Sequence, residues 1–216
     1  MNIIPSITTS HREITQIQLT ELENLDIKTM GLFLTGLLQP KERMDVLERI
    51  PAHIELPLVH VRIDSEPREL DYCIINHNTK YFNLHGIHAS SFSSSAISKY
   101  KKYMLAENSR ALTLKQLKSF SGICLDLSHY YEDSMNFSHL IADIEESLKH
   151  YPVTVNHISA VRKERKVYSE HIGNYNSDFD YLKQIPSYLF GEYLFLELEN
   201  SFKRQFEIME YIQSFS

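Results

Sequence analysis

Six short apolar segments of this chain carry a histidine or an acid where a buried strand ordinarily carries valine or leucine. LPLVHVRID (56–64) holds His60, KYFNLHGIHA (80–89) holds His85 and His88, and KYMLAEN (102–108) ends in Glu107 and Asn108. GICLDLSHYYED (122–133) sets Asp126 near a strand end with His129 three residues on. YPVTVNHIS (151–159) carries His157, and EYLFLELE (192–199) carries Glu197 with Glu199 two places later. Each has a plain reading by itself. A buried histidine can satisfy a backbone carbonyl, a glutamate can pair with a cation, and one of Glu192 and Glu199 can simply face water. An isolated ionised carboxylate in an apolar core is very costly unless paired or bound to a metal. Several carboxylates and imidazoles meeting at one place would repel unless a divalent cation joined them. Such donors, with no thiolate among them, suit Mn, Zn, Fe or Co and give no reason for a closed structural zinc.

These residues meet only if the elements bring them together. Short apolar strands alternate with helical patterns: strands over 28–36, 56–64, 80–89, 102–108, 122–127, 151–159, a weak seventh in RKVYSEH, and an eighth over 192–199. Between them, Pro40 opens a helix, Thr113 caps a short one, and NFSHLIADIEESLKHY sets Phe137, Leu140, Ile141, Ile144 and Leu148 on one face. SDFDYLKQI begins with a Ser177–Asp180 capping pattern, and SFKRQFEIMEYIQSF closes the chain as an amphipathic helix. Strand–helix repetition implies a parallel sheet with helices outside. Eight strands in one series favour a closed, compact (β/α)8 barrel spanning 1–216 as one domain, with its active site where the strands end.

Bulk properties narrow the class. A net charge of −6 argues mildly against a nucleic-acid backbone as the main partner, since phosphate binding needs clustered Lys and Arg. Only 6 glycines occur, and neither a G-x-G-x-x-G nor a Walker pattern follows any strand. Cys73 and Cys124 read as buried free thiols in a reducing compartment. MGLFLTGLL is far short of the ~18 apolar residues of a membrane span. No signal-peptide pattern opens the chain, so the expectation is a soluble cytoplasmic protein with no membrane partner.

Together the motifs resemble the xylose isomerase-like TIM barrels, a group of sugar isomerases and epimerases that also includes the endonuclease IV type of enzyme. MLAEN looks like the family's fourth-strand LEN segment, and ICLDLSH is similar to its CLDxxH, the most specific match. VNHIS, EHIGNYNSDFDYL, YLFLELE and FNLHGIH resemble further family segments, covering roughly residues 80 to 212 in order. The resemblance implies Glu107, Asp126, His157 and Glu197 as metal ligands, with His60, His85 and His129 as further candidates, for Mn, Zn, Co, Fe or Mg. It departs from the endonucleases at their strand-seven Asp-x-His pair, where Val167 and Ser169 stand; His171 is out of register by two.

The implied activity is a divalent-metal-dependent sugar or sugar-phosphate isomerase/epimerase working through a metal-stabilised enediolate. Glu107 and Glu197 would move the proton, and His129 would orient a hydroxyl or back the metal. His85, Arg162 and His171 would contact the substrate. Arg162, Lys163 or Arg165 of RKERK could hold a substrate phosphate or else face water. The alternatives are a metal-dependent phosphodiester hydrolase of the endonuclease IV type and a non-catalytic barrel. Only the hydrolase would bring nucleic acid in as a partner. A homo-oligomer is compatible with either.

Overall fold

The computed structural model describes residues 2–215. Its centre is one sheet of nine parallel segments, and the order of those segments shows how it closes. The chain begins with β1 (Asn2–Ile4) and β2 (Ser6–Thr8), two halves of one extended run divided at Pro5. β1 pairs with the last strand, β11 (Tyr193–Leu196), and β2 pairs with β3 (Gly31–Phe33). From β3 the sheet continues through β4 (Leu58–His60), β5 (Tyr81–His85), β6 (Met104–Glu107), β7 (Gly122–Asp126) and β8 (Val153–Ile158) to β11. The two ends of the sheet are therefore the two halves of its first strand, and the sheet curls into a nearly closed barrel. Proline has no N–H to give a ladder, so a change of partner at Pro5 costs no hydrogen bond. Its carbonyl still accepts from the Gly31 N–H at 2.9 Å.

Parallel neighbours need a crossover, and helices supply most of them. α1 (Arg12–Leu22), α2 (Pro40–Arg49) and α3 (Pro67–His77) follow the first three strands. α4 (Ala89–Phe92) and α5 (Leu114–Leu117) are single turns. α6 (Leu127–Asn136) and α7 (Ser138–Leu148) follow β7, and α8 (Phe202–Gln213) closes the chain. Pro40 occupies the first turn of α2, and the Thr113 side chain caps α5 in a reciprocal box with Gln116, as the sequence predicts. Among the described residues no helix is long and apolar enough to cross a membrane.

Several local expectations are corrected. The strand at 2–8 escapes the periodicity reading because Pro5 interrupts it and both of its faces are mostly buried, so it shows little alternation. RKVYSEH is not a barrel strand. It forms β10 (Val167–Glu170), antiparallel to β9 (Ala160–Lys163), in a separate hairpin rising from the end of β8. The sheet thus has nine parallel segments where the sequence reading expects eight strands: the run at 2–8 is added as two segments and RKVYSEH lies outside it. Phe137 stands 44 % exposed at the junction of α6 and α7, and Ile144 is the apolar residue that α7 buries fully. The Ser177–Asp180 cap is displaced by two residues: Asp178 Oδ2 accepts from the Tyr175 N–H at 3.0 Å, opening a 3-10 helix at 176–184.

Candidate metal centre

Strand parity builds the centre in two layers, since alternate side chains share a face. The lower layer is a small apolar cluster of Ile4, Phe33, Leu58, Leu105, Cys124, Val155 and Phe195. Gly31 leaves room there: a Cβ would stand 2.8 Å from the Phe195 ring. Two residues further along four of these strands come His60, Glu107, Asp126 and His157, and two beyond Phe195 comes Glu197; all are buried. The register aligns them, pairing His85 with Glu107 and Asp126 with His157. The odd carboxylate in GICLDL is therefore one tooth of a polar ring set over an apolar floor.

Glu107 lies at the middle of this ring. Its Oε2 is 3.3 Å from His60 Nε2 and 3.1 Å from His157 Nε2, and its Oε1 is 3.2 Å from His85 Nε2. Asn83, also buried, donates its Nδ2–H to Oε2 at 2.5 Å. The second nitrogen of His157 lies 2.9 Å from Glu197 Oε2 and 3.5 Å from Asp126 Oδ2. Asp126 Oδ1 accepts from the His129 N–H at 2.9 Å and from the Ser128 hydroxyl. That carboxylate caps α6 as well as facing the centre. Asn108 fixes the Asp126 backbone on both sides, accepting its N–H at 2.7 Å and donating to its carbonyl at 3.0 Å.

Charge inside the ring is balanced by protons on the histidines. Burial alone would raise Glu107, but the rings of His60, His157 and His85 hold it well below the carboxylate range. Burial likewise opposes ionisation of Glu197, and His157 brings it down to about 2. His157 is driven well above the usual imidazole range against its own burial, by Glu107, Cys124, Asp126 and Glu197. The Asp126 carboxylate carries His129 up to about 10. His60 goes the other way, pressed by burial to about 4.

A divalent cation fits these donors. Two sets, His60–His85–Glu107 and Glu107–Asp126–His157, each bring three ligand atoms within 4.8 Å of one another. Buried polar atoms are also left over: His60 Nδ1, both ring nitrogens of His157 and the Asn83 Oδ1 find no hydrogen-bond partner among the described residues. The close His157–carboxylate contacts are thus ion pairs out of hydrogen-bonding alignment. Orphaned groups of this kind are rare in a native core and call for a further partner, which an ion in the ring would supply.

The remaining candidates spread around the mouth. His129 is half-buried, with Nδ1 3.3 Å from the Ser169 hydroxyl and 3.8 Å from Glu132. His171 places Nε2 3.7 Å from Glu197 Oε1. Arg162 pairs with Glu170 at 3.0 Å across the hairpin, Lys163 lies 5.1 Å over the Tyr131 ring, and Arg165 is exposed. His85 and His88 stack at 6.2 Å. Glu192 faces water, whereas Glu199 is buried and held by His11 at 2.7 Å. Asn83, Asn108 and His11 are the site residues to which the sequence reading gave no role, and Glu199, which it weighed as one that could face water, is buried. Asn83 was findable: it precedes His85 by two in FNLHG and so shares its face. In comparison with known proteins, the chain matches no family model and no curated sequence.

Proposed function

We propose that this barrel, of the xylose isomerase-like (β/α)8 type, is a metal-dependent enzyme whose mouth holds two divalent cations and hydrolyses a phosphodiester. One observation supports it above others: two donor sets share a single buried carboxylate, Glu107, whose Oε1 faces His85 and whose Oε2 faces both His60 and His157. His60 and His85 would hold one ion with Glu107, and Asp126 and His157, with Glu197 beside them, would hold the other. Bound there, the cations would polarise phosphoryl oxygens and supply hydroxide from water at neutral pH. The chain's own groups would do the rest. Asn83 holds the Glu107 carboxylate in place, Asn108 fixes the Asp126 backbone, and the apolar floor below keeps water from the rear of the site. The acidic net charge favours a small diester over an extended nucleic acid.

A second reading, a one-ion sugar isomerase or epimerase, draws on a different observation. Glu107 and Glu197, on strands apart in the barrel, flank the same imidazole at 3.1 and 2.9 Å, a pair of carboxylates placed to pass a proton. Elemental analysis of the purified, metal-loaded protein separates the two. Two ions per chain are expected, falling below one in Glu107→Gln and to one in Asp126→Asn. A single ion in the unaltered protein would leave the isomerase, and metal content unchanged by both substitutions would remove the site altogether.

A further inference from the structure

Glu199 lies two residues beyond Glu197 at the same mouth, and neither reading employs it. Its side chain is only 3 % exposed, yet its one side-chain partner among the described residues is a histidine that is 68 % exposed: Oε2 stands 2.7 Å from His11 Nδ1. His11 follows the C-terminal end of β2 and occupies the N-cap of α1, but its ring makes no capping bond. Nε2 of that ring makes no hydrogen bond to any described residue, on a side chain that is mostly exposed. The neighbourhood leads straight to the centre. The Ser10 hydroxyl is 3.4 Å from His171 Nδ1, and Nε2 of that ring is 3.7 Å from Glu197. The Glu199 N–H donates to the His171 carbonyl at 2.7 Å.

Stability does not account for this pair. An ion pair with one member largely in water contributes about 0–1 kcal/mol, whereas burying a carboxylate costs several times that. The arrangement instead has the form of a carboxylate–histidine dyad. A carboxylate against Nδ1 keeps a proton on that nitrogen and fixes the ring, so Nε2 exchanges protons with whatever occupies the mouth.

We propose that His11, oriented by Glu199, donates the proton to the leaving oxygen of the diester; this rests on the hydrolytic reading above. The oxygen of water forms a bond to phosphorus. The bond from phosphorus to the leaving oxygen breaks, and its electron pair goes to that oxygen. The Nε2 proton of His11 moves onto it, releasing a free alcohol. The attacking water's proton passes to bulk water, from which His11 is reprotonated. Glu199 is a positioning residue and touches no reacting atom.

The test compares two substrates of unequal need, each with metal-loaded protein. Bis(p-nitrophenyl) phosphate expels a weakly basic phenolate that needs little proton donation, and thymidylyl-(3′–5′)-thymidine expels an alkoxide that needs it fully. His11→Gln should lower kcat on the dinucleotide by ~10²–10⁴-fold and on the nitrophenyl diester by less than ~10-fold, the usual reach of general-acid catalysis. Glu199→Gln should act in the same direction more weakly, and both variants should keep their metal. Equal losses on the two substrates, or no loss on the dinucleotide, would overturn the donor role while leaving the hydrolase standing. Unaltered protein that binds two ions and cleaves neither diester would end both. Independently of activity, ¹⁵N NMR of the neutral His11 ring should show its proton on Nδ1, and Glu199→Gln should release that preference. A mixture of tautomers in the unaltered protein would overturn the dyad.

Discussion

At the scale of single residues, Asp126 shows how one carboxylate serves two neighbours. Oδ1 caps α6 through the His129 N–H, and Oδ2 faces His157. Asn108 replaces ladder bonds on both sides of its backbone. An asparagine at 126 would keep the cap and lose the charge, which is why Asp126→Asn tests metal binding and not helix formation. Asp133, farther along α6, is the contrasting case. It is 6 % exposed, its Oδ2 has no hydrogen-bond partner among the described residues, and burial raises its carboxyl above the usual value. A carboxyl raised on folding contributes stability below its unfolded value near pH 3.9, and that contribution is lost as pH rises through the folded value. Asp133→Asn should therefore stabilise the protein by about 1 kcal/mol at pH 7, or ~2–4 °C in melting temperature. The gain should vanish below about pH 4. Thermal melts at the two pH values measure it, and an equal gain at both would contradict the assignment.

At the scale of elements, α2 and α3 are joined by a buried ion pair. Arg43 Nε lies 2.7 Å from Glu69 Oε2 and its Nη2 3.0 Å from Oε1, while Nη1 donates to the carbonyls of Leu37 and Leu38. Glu69 also closes the capping box at the start of α3. The pair thus fixes the turn after β3 to the helix after β4. Arg43→Met strands a buried carboxylate and should cost about 3–5 kcal/mol by urea denaturation. Adding Glu69→Leu should recover a good part of that, because no unpaired charge then remains. A double variant as unstable as the single would show that the carbonyl contacts of Arg43 dominate. The hairpin β9–β10 belongs to this scale as well. RKVYSEH reads as a weak strand, and it does form one over Val167–Glu170, but against β9 and not in the barrel. A local strand pattern says nothing of which strand lies beside it.

For the whole molecule, closure depends on the short split strand at the N-terminus and on what clamps it. Gln205, buried on α8, accepts from the Ser6 N–H at 2.8 Å and donates to the Ser6 carbonyl at 2.8 Å, taking the place of a ladder partner next to Pro5. Gln205→Ala should leave both Ser6 backbone groups unpaired in the interior, at about 1–3 kcal/mol each. Hydrogen exchange of residues 2–8 should rise by more than that of β5–β7; uniform exchange would mean that the clamp does not hold the seam. The residues that meet at the candidate metal centre were legible in the sequence because they obey a local rule: each lies near the end of an apolar strand. That rule marks His60, His85, Glu107, Asp126, His157 and Glu197 alike, and the narrower set of Glu107, Asp126, His157 and Glu197 is what the family resemblance implies. The parallel α/β sheet follows because alternating strand and helix patterns leave few other ways to bury both faces. What only the tertiary structure decided are relations between distant segments. These are the seam between β1 and β11, the sharing of Glu107 between two histidine sets, and the pairing of His11 with Glu199 across 188 residues. No local pattern records such contacts, since the energy that fixes them arises only once the barrel has curled round and brought its first strand beside its last.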